Sequence, residues 1–545
     1  MSVIVTSKGV MPSPRCERSA ILLCGIVLAL ASTIYAQSVD REGIEYTLSG
    51  RRGGDQMAPR MVVGPSGGYL VWQDNYVDGP GKSYGIAGRK LGSQMDPLTP
   101  VFRVNLTVDA PQQNPRVAFM TNGGAAFVWQ GGKLGAQDIY FRTFNPTLGV
   151  MKPQRDILVN TYTTGQQGNP VITCLSNGNL AVAWCSLHQD KGLEGVYARI
   201  LTPAGAFVGD PFLVNQFTSN NQRQPSIATL ANGRFVVVWI SANQGVSAAE
   251  SIRHTNRVHV YARVFTKGGY PASDEFRINT ESNLCSGPAV AAFGQTGFTV
   301  TWAEKMPNPG DSWDICARSF SAPNTPATDA IRLNELAYGD QFAPEIASIG
   351  PHQLVAWTSL GQDGSQEGVF GRALENGQPN GPEFLVNSHT NSSQIQPAVA
   401  GRGPDEFLVA WASFMGDTSF DLRGQKYLVE QPATGSESGT GGGLIVEANR
   451  PGTGSLPPLP PAPLPGGSSV GTQGLNDIKV SLASTSKGLR LTWSAEPGKV
   501  YQVQYSTNFS RWDNVQDARM ATSSSEETPV GRPDGAGFYR VIRVQ

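Results

Sequence analysis

The chain has 545 residues, among them 63 Gly and 38 Pro, with 16% charged residues and a formal net charge of −1. Gly and Pro exceed their ordinary shares of about 7% and 5%, and charge falls short of the usual ~25%, which excludes a coiled coil or a helical array. Near neutrality leaves no basic stripe for phosphates, so nucleic acid is not expected as a partner, and a 39% hydrophobic share argues against charge-driven disorder.

At the N-terminus Lys8, Arg15 and Arg18 precede an apolar run from Ala20 to Ala31. Its length suits a signal-peptide core and is short for a membrane span. Ala36 supplies a small residue for cleavage, so residues 1–36 read as a signal peptide; an uncleaved anchor is the alternative. Leu23 before Cys24 argues against lipidation. No later stretch is long and apolar enough to cross a membrane. The expected location is secreted, cell-surface or periplasmic. Four Cys follow the signal: Cys174, Cys185, Cys285 and Cys316. Their spacing holds no CxxC pair and no zinc pattern. Buried free thiols or one bridge are expected, with the three possible pairings open.

From residue 43 to 429 the chain repeats. Trp72, Trp129, Trp184, Trp239, Trp302, Trp357 and Trp411 recur every 54 to 63 residues, each closing an apolar run such as FVVVW. A Gln-x-x-Pro precedes each run, with Cys285 in the Gln place of the fifth copy. After the Trp comes a segment ending in Arg: Arg89, Arg142, Arg199, Arg263, Arg318 and Arg372, with Gln425 in the seventh copy. Then comes a short strand ending in Asn, as in FLVN at Asn215 and Asn387. Each repeat reads as four strands, with Asn-Gly at 177–178 and 232–233 as a hairpin turn. The second strand is apolar at nearly every position, so both its faces need cover. Radial stacking of such sheets supplies it, and the prediction is an all-β chain with a seven-bladed β-propeller. The seventh copy lacks a clear fourth strand, and GIEYTLSG at 43–50 is the candidate to fill that place and remove the open edge. The repeated Arg is expected to bond a neighbouring blade, and the repeated Asn to close a turn.

Residues 430–475 are rich in Gly, Ser, Thr and Pro, with LPPLPPAPLP at 456–465, and read as a linker rather than a peptide ligand for another module. Alternation returns in 476–545, where Leu489, Leu491 and Trp493 share one face and Tyr501, Val503 and Tyr505 another. The run LRLTWSAEPGKVYQVQYSTNFSRW, followed by FYRVIRV, resembles a fibronectin type III module, which implies a small β-sandwich. The order Q-x-x-P, G-x-F-V-V-x-W, V-Y-A-R, F-x-V-N resembles a group of secreted bacterial tandem-repeat proteins. That likeness covers about 385 residues, implies export and a propeller, and brings no catalytic activity with it.

Strand direction places the loops after each Trp on the same rim as the connectors between repeats, where propellers commonly bind. Candidate ligand-binding residues there are Asp74, Asp78 and Tyr84 in repeat one, Glu250, Arg253, His254 and Arg257 in repeat four, and Asp311 and Trp313 in repeat five. Asp190 and Asp363, each with a Glu four residues on, are weak Ca²⁺ candidates; tight Asx turns are the plainer reading. No cofactor is otherwise expected. No His lies in a G-x-S-x-G or HExxH setting, and the chain holds no P-loop, dinucleotide fingerprint or S-x-D-x-G-x-T-W box. The leading expectation is a non-enzymatic extracellular scaffold that recognises a glycan or protein. The runner-up is a carbohydrate-active enzyme, a glycosidase or lyase, with rim carboxylates at the channel mouth.

Overall fold

A computed structural model describes residues 39–429 except 51, 191, 246–256, 282, 306–311 and 417–418; a strand at Val3–Val5; and most of 480–543. In the latter stretch 486–487, 496, 507–512, 516–518 and 531–536 are not described. The chain divides into two compact units, one of residues 31–437 and one joining 1–30 to 438–545. Every described element is a β-strand, and among the described residues no helix is long and apolar enough to cross a membrane. The expected signal peptide and linker lie mostly outside the described residues.

The larger unit is a β-propeller arrangement of antiparallel sheets. Repeat three shows the plan: Gln167–Cys174, Leu180–Leu187, Glu194–Leu201 and Phe212–Leu213 pair in that order. Five repeats form separate sheets in this way. The fourth and fifth, expected as separate blades, share one nine-stranded sheet. The join is a single parallel bridge, Val258 to Leu284, between Val258–Phe265 and Leu284–Phe293. Within repeats one to six the expected fourth strand is short, two paired residues in most, and repeat two alone extends it, over Val150–Leu158.

The strand ends just before the repeated Asn in every one of these copies. Its side chain takes over where the ladder stops. Asn105, Asn160, Asn215, Asn279, Asn334 and Asn387 are all buried. Each Oδ1 accepts from a third-strand N–H: Ile86, Ile139, Val196, Val260, Ile315 and Val369, at 2.7–3.0 Å. Each Nδ2 donates to the carbonyl two residues on, as Asn334 does to Leu336 at 2.9 Å. Buried amides must find partners, and this side chain supplies them in a turn too tight for a strand.

The repeated Arg ties adjacent sheets. Arg199 Nε donates to Gly209 in its own repeat and Nη1 to the Val159 carbonyl of the repeat before, at 3.1 and 2.8 Å. Arg142, Arg263, Arg318 and Arg372 reach Val104, Val214, Ile278 and Leu333 in the same way. The seven repeat Trp side chains are fully buried between sheets. At roughly 25 cal/mol per Å² of apolar surface removed from water, such residues dominate the cohesion of the ring.

The ring closes with an N-terminal strand. Val39–Thr47 pairs antiparallel with Phe420–Val429, beginning four residues before the segment nominated from sequence. Ser49 stands where other repeats have Asn, its Oγ accepting from Leu422 N at 3.1 Å. Gln425 cannot reach the previous sheet as Arg does. Arg41, on the closing strand, donates instead to the carbonyls of Leu385 and Val386 at 3.0 and 2.9 Å.

The smaller unit has two sheets. Val480–Thr485, Gly488–Ser494 and Ser525–Val530 form one. The other runs Val3–Val5, Gly537–Arg543, Val500–Ser506 and Asp513–Asn514, with Arg519–Met520 also on Val500–Ser506. Leu491, Trp493, Tyr501, Val503, Ala521 and Val541 make its buried cluster. The four Cys are free thiols, with Cys174 half-buried and Cys185, Cys285 and Cys316 buried.

Candidate functional site: the rim groove and the channel

The inner strands carry one irregularity in common. In all seven Gln-x-x-Pro or Cys-x-x-Pro copies the residue before Pro has positive φ: Ala58, Asn114, Asn169, Gln224, Gly287, Ala343 and Gln396, at 50–57°. Each strand pairing slips there, as between Gln113 and Arg116. This is a β-bulge, and the Pro that follows cannot donate to the ladder. The bulge turns an amide along the ring. Asn169 N meets Gln130 Oε1 at 2.8 Å and Gln396 N meets Thr358 Oγ1 at 3.1 Å, each acceptor following the Trp of the previous repeat. Where that acceptor is apolar, Ile240 or Ala412, the bulge residue of the previous repeat substitutes: Gln224 Oε1 for Gly287 N, and Gln396 Oε1 for Ala58 N, at 2.9 and 2.8 Å. Six of the bulge residues and five of the prolines line a cavity of about 220 Å³ at the channel mouth, which passes into one of about 580 Å³ walled by the inner strands.

The predicted rim carboxylates among the described residues are engaged within the protein. Asp74 is fully buried; it accepts from Trp72 Nε1 at 3.1 Å and from the amides of Tyr76 and Val77 at 2.8 Å. Asp78 accepts from Asn105 Nδ2 at 3.0 Å; burial raises its carboxyl above the ordinary range, and the Asn105 bond opposes this. Asp138, Asp190, Asp314 and Asp363 hold Asn160, Asn215, Asn334 and Asn387 in the same fashion. Asp190 and Asp363 also cap their own turns, accepting from Gly192 N and Ser365 N at 3.0 and 3.1 Å. These are the Asx turns of the plainer reading. Among the described residues no three His, Cys, Asp or Glu side chains come together as a metal-binding group. In repeat four His259 bonds the strand-ending Asn in place of an Asp. It is buried, bonded to Asn279 Nδ2 at 3.1 Å, and burial, with Arg277 and Arg257 nearby, brings its pKa down to about 4.

Arg257 and Trp313, by contrast, are brought together. With Asn221, Arg223, Asn243 and Ser286 they line a rim cavity of about 490 Å³ between repeats four and five. Trp313 is partly buried against the core and holds its backbone on Asp340 Oδ1 at 3.2 Å. Arg223 is exposed and lies near Glu194, whose carboxyl is raised by burial and drawn back by this guanidinium. Gln224 borders both the groove and the channel mouth. Tyr84 lies half-buried in repeat one, its carbonyl accepting from Gln112 N at 2.7 Å. Glu250, Arg253, His254 and Asp311 lie outside the described residues.

Sequence reasoning missed the channel residues Arg60, Arg116 and Glu345. The first residue after Pro lines this channel in six of the seven copies, so their common offset from the Gln-x-x-Pro marker was the available signal. It also missed an acidic residue four before the Asn. Asp156, Glu275 and Glu383 accept from backbone amides at Leu106, Gln216 and Glu335 of the preceding repeats, and Glu45 does so at Ser388.

No protein-family model and no curated protein matches the chain. Among solved structures it is similar to a protein of unknown function from Dyadobacter fermentans, with 11% identity over 60% of this chain and 97% of that one and a TM-score of 0.42. An α-L-arabinanase from Penicillium chrysogenum, solved with arabinobiose, gives 12% identity over 58% and 92%, TM-score 0.41. The β-propeller domain of the Trilobed protease from Pyrococcus furiosus gives 8% over 70% and 97%, TM-score 0.41. At these identities and TM-scores no substrate or activity carries over to this chain.

Proposed function

We propose that this is an exported, non-enzymatic binding scaffold whose propeller recognises a glycan or protein at the rim groove between repeats four and five. The observation that carries the reading is the meeting of Trp313 with Arg223, Arg257, Asn221 and Asn243 around one cavity. An aromatic face beside converging polar groups is the ordinary composition of a ligand site. The nine-stranded sheet counts as two blades in this reading, so the ring has seven, closed by Val39–Thr47. The C-terminal unit is taken as a fibronectin type III-like module on a linker, and residues 1–36 as the export signal. No cofactor is required, and no nucleic acid or membrane span is a partner.

The engagement of Asp74, Asp78, Asp190, Asp314 and Asp363 in structural bonds supports binding over hydrolysis, because a glycosidase needs a free carboxyl pair. The test is a glycan array read for capture and for released product, followed by a screen against extracellular proteins. Capture without product, weakened about tenfold or more by Trp313→Ala, is the expected result. Product release abolished by changing one carboxylate would replace the scaffold with the enzyme reading.

A further inference from the structure

We propose a second, separate site: an oxyanion-binding site at the channel mouth, formed by Arg60 and Arg116 and guarded by Glu345. These three are the charged side chains among the described residues lining both channel cavities. The rest of that wall is neutral: Pro115, Pro170, Pro225 and Pro288 with Asn114 and Asn169 near the mouth. Two guanidiniums and one carboxylate leave an excess positive charge inside a ring of packed sheets.

The geometry shows how that charge is arranged. Arg60 and Arg116 project from the inner strands of neighbouring repeats, and Glu345 comes from repeat six. Both guanidiniums lie on one oxygen, Glu345 Oε1, at 3.1 and 3.5 Å. A single carboxylate oxygen cannot satisfy two five-donor forks. Arg60 Nη1 turns to its neighbouring Pro59 carbonyl at 2.7 Å, and its buried Nε has no hydrogen-bond partner. Burial raises the Glu345 carboxyl above the ordinary range, with Arg60 opposing. The channel therefore disfavours its own anion while holding two cations, one of which keeps an unused donor, Arg60 Nε, within the wall.

A carboxylate, sulfate or phosphate group offers several oxygens and matches guanidinium forks in pairs, which a shared Oε1 does not. Glu345 then acts as a built-in competitor, keeping the arginines apart from weak anions. The ligand class is a small oxyanion, free or carried on an acidic sugar. The site shares Gln224 with the rim groove and no charged residue, so it stands or falls independently of the reading above.

Titration calorimetry of the full-length chain with sulfate, acetate and glucuronate at constant ionic strength tests this. Saturable binding is expected, weakened tenfold or more in Arg116→Met, and tightened roughly tenfold in Glu345→Gln, where a like charge about 4 Å away is removed. Glucuronate binding more tightly than acetate assigns the site to sugar carboxylates; sulfate ahead of both assigns it to inorganic oxyanions. Thermal melts confirm that the variants are folded, and Arg116→Lys, which keeps the charge and loses the fork, replaces a variant that is not. Absence of saturation with all three anions at about 50 mM overturns the site. So does unchanged affinity in folded Arg60→Met and Arg116→Met, while unchanged affinity in Glu345→Gln overturns the competition.

Discussion

In repeats one to six an Asn ends the outer strand, and an Arg on the third strand ties each of repeats two to six to the sheet before it. In the closing repeat Ser49 and Arg41 fill these places from a strand nearly 400 residues away in sequence. The joint is the same and the residues differ. What is constant is a demand of the main chain: Leu422 N needs an acceptor, and the Val386 carbonyl needs a donor. Any side chain that reaches answers the demand, and at the closure the reach comes from the other end of the chain.

The sharpest test of this contrast sets Asn334 against Ser49. Asn334→Ala strips acceptors and donors from Ile315 N, Asp314, Leu336 and Gln341. Several buried polar groups are then unpaired, and we expect a loss of about 3 kcal/mol by denaturant unfolding. Ser49→Ala removes the bond from Leu422 N and the one to the neighbouring Gly50 carbonyl, and should cost only about 1 kcal/mol. Equal losses would break the comparison.

His259 offers the next largest effect. Its pKa is about 4 in the folded protein against an ordinary 6.5, so the folded state favours the neutral ring. Stability is full above pH 6.5 and falls as pH drops toward 4, because the unfolded chain takes the proton first. The loss is on the order of 2 kcal/mol. Unfolding curves across this range should steepen for the native protein and flatten at this step in His259→Gln. The smallest effect is at Arg41. It is exposed, so Arg41→Met should cost under about 1 kcal/mol. Arg199→Met, at a buried position, should cost about 2 kcal/mol by the same measurement.

The periodic features were legible because each repeat restates them. Trp184 and Arg199 mean little alone, but seven and six copies fix the strand plan and imply neighbours on both faces. The closing strand was legible from what the seventh copy lacked. The site was not. Asp78, Asp190 and Asp363 look like ligands on a loop because their Asn partners lie 24 to 27 residues on. Arg60 and Glu345 meet from distant parts of the sequence; their shared place after the Gln-x-x-Pro marker puts both on inner strands, but the pairing itself leaves no local pattern. The merging of repeats four and five turns on one bridge, Val258 to Leu284, too small a feature for composition to signal. Among the described nominated rim residues, only Arg257 and Trp313 end beside one cavity.

The seven bulges before Pro carry a consequence for the hole they surround. Each bends its strand through the main chain, and at Ala58, Asn169, Gly287 and Gln396 the bulged amide is held by an acceptor on the sheet next door. The bore is therefore a property of backbone geometry, set by how many such bends are linked in a circle. The side chains that face inward, Ala289 as readily as Glu345, are furnishings of a passage whose width they do not decide. A lining can be exchanged residue by residue without rebuilding the wall, and one scaffold can be refitted for ligands of opposite charge.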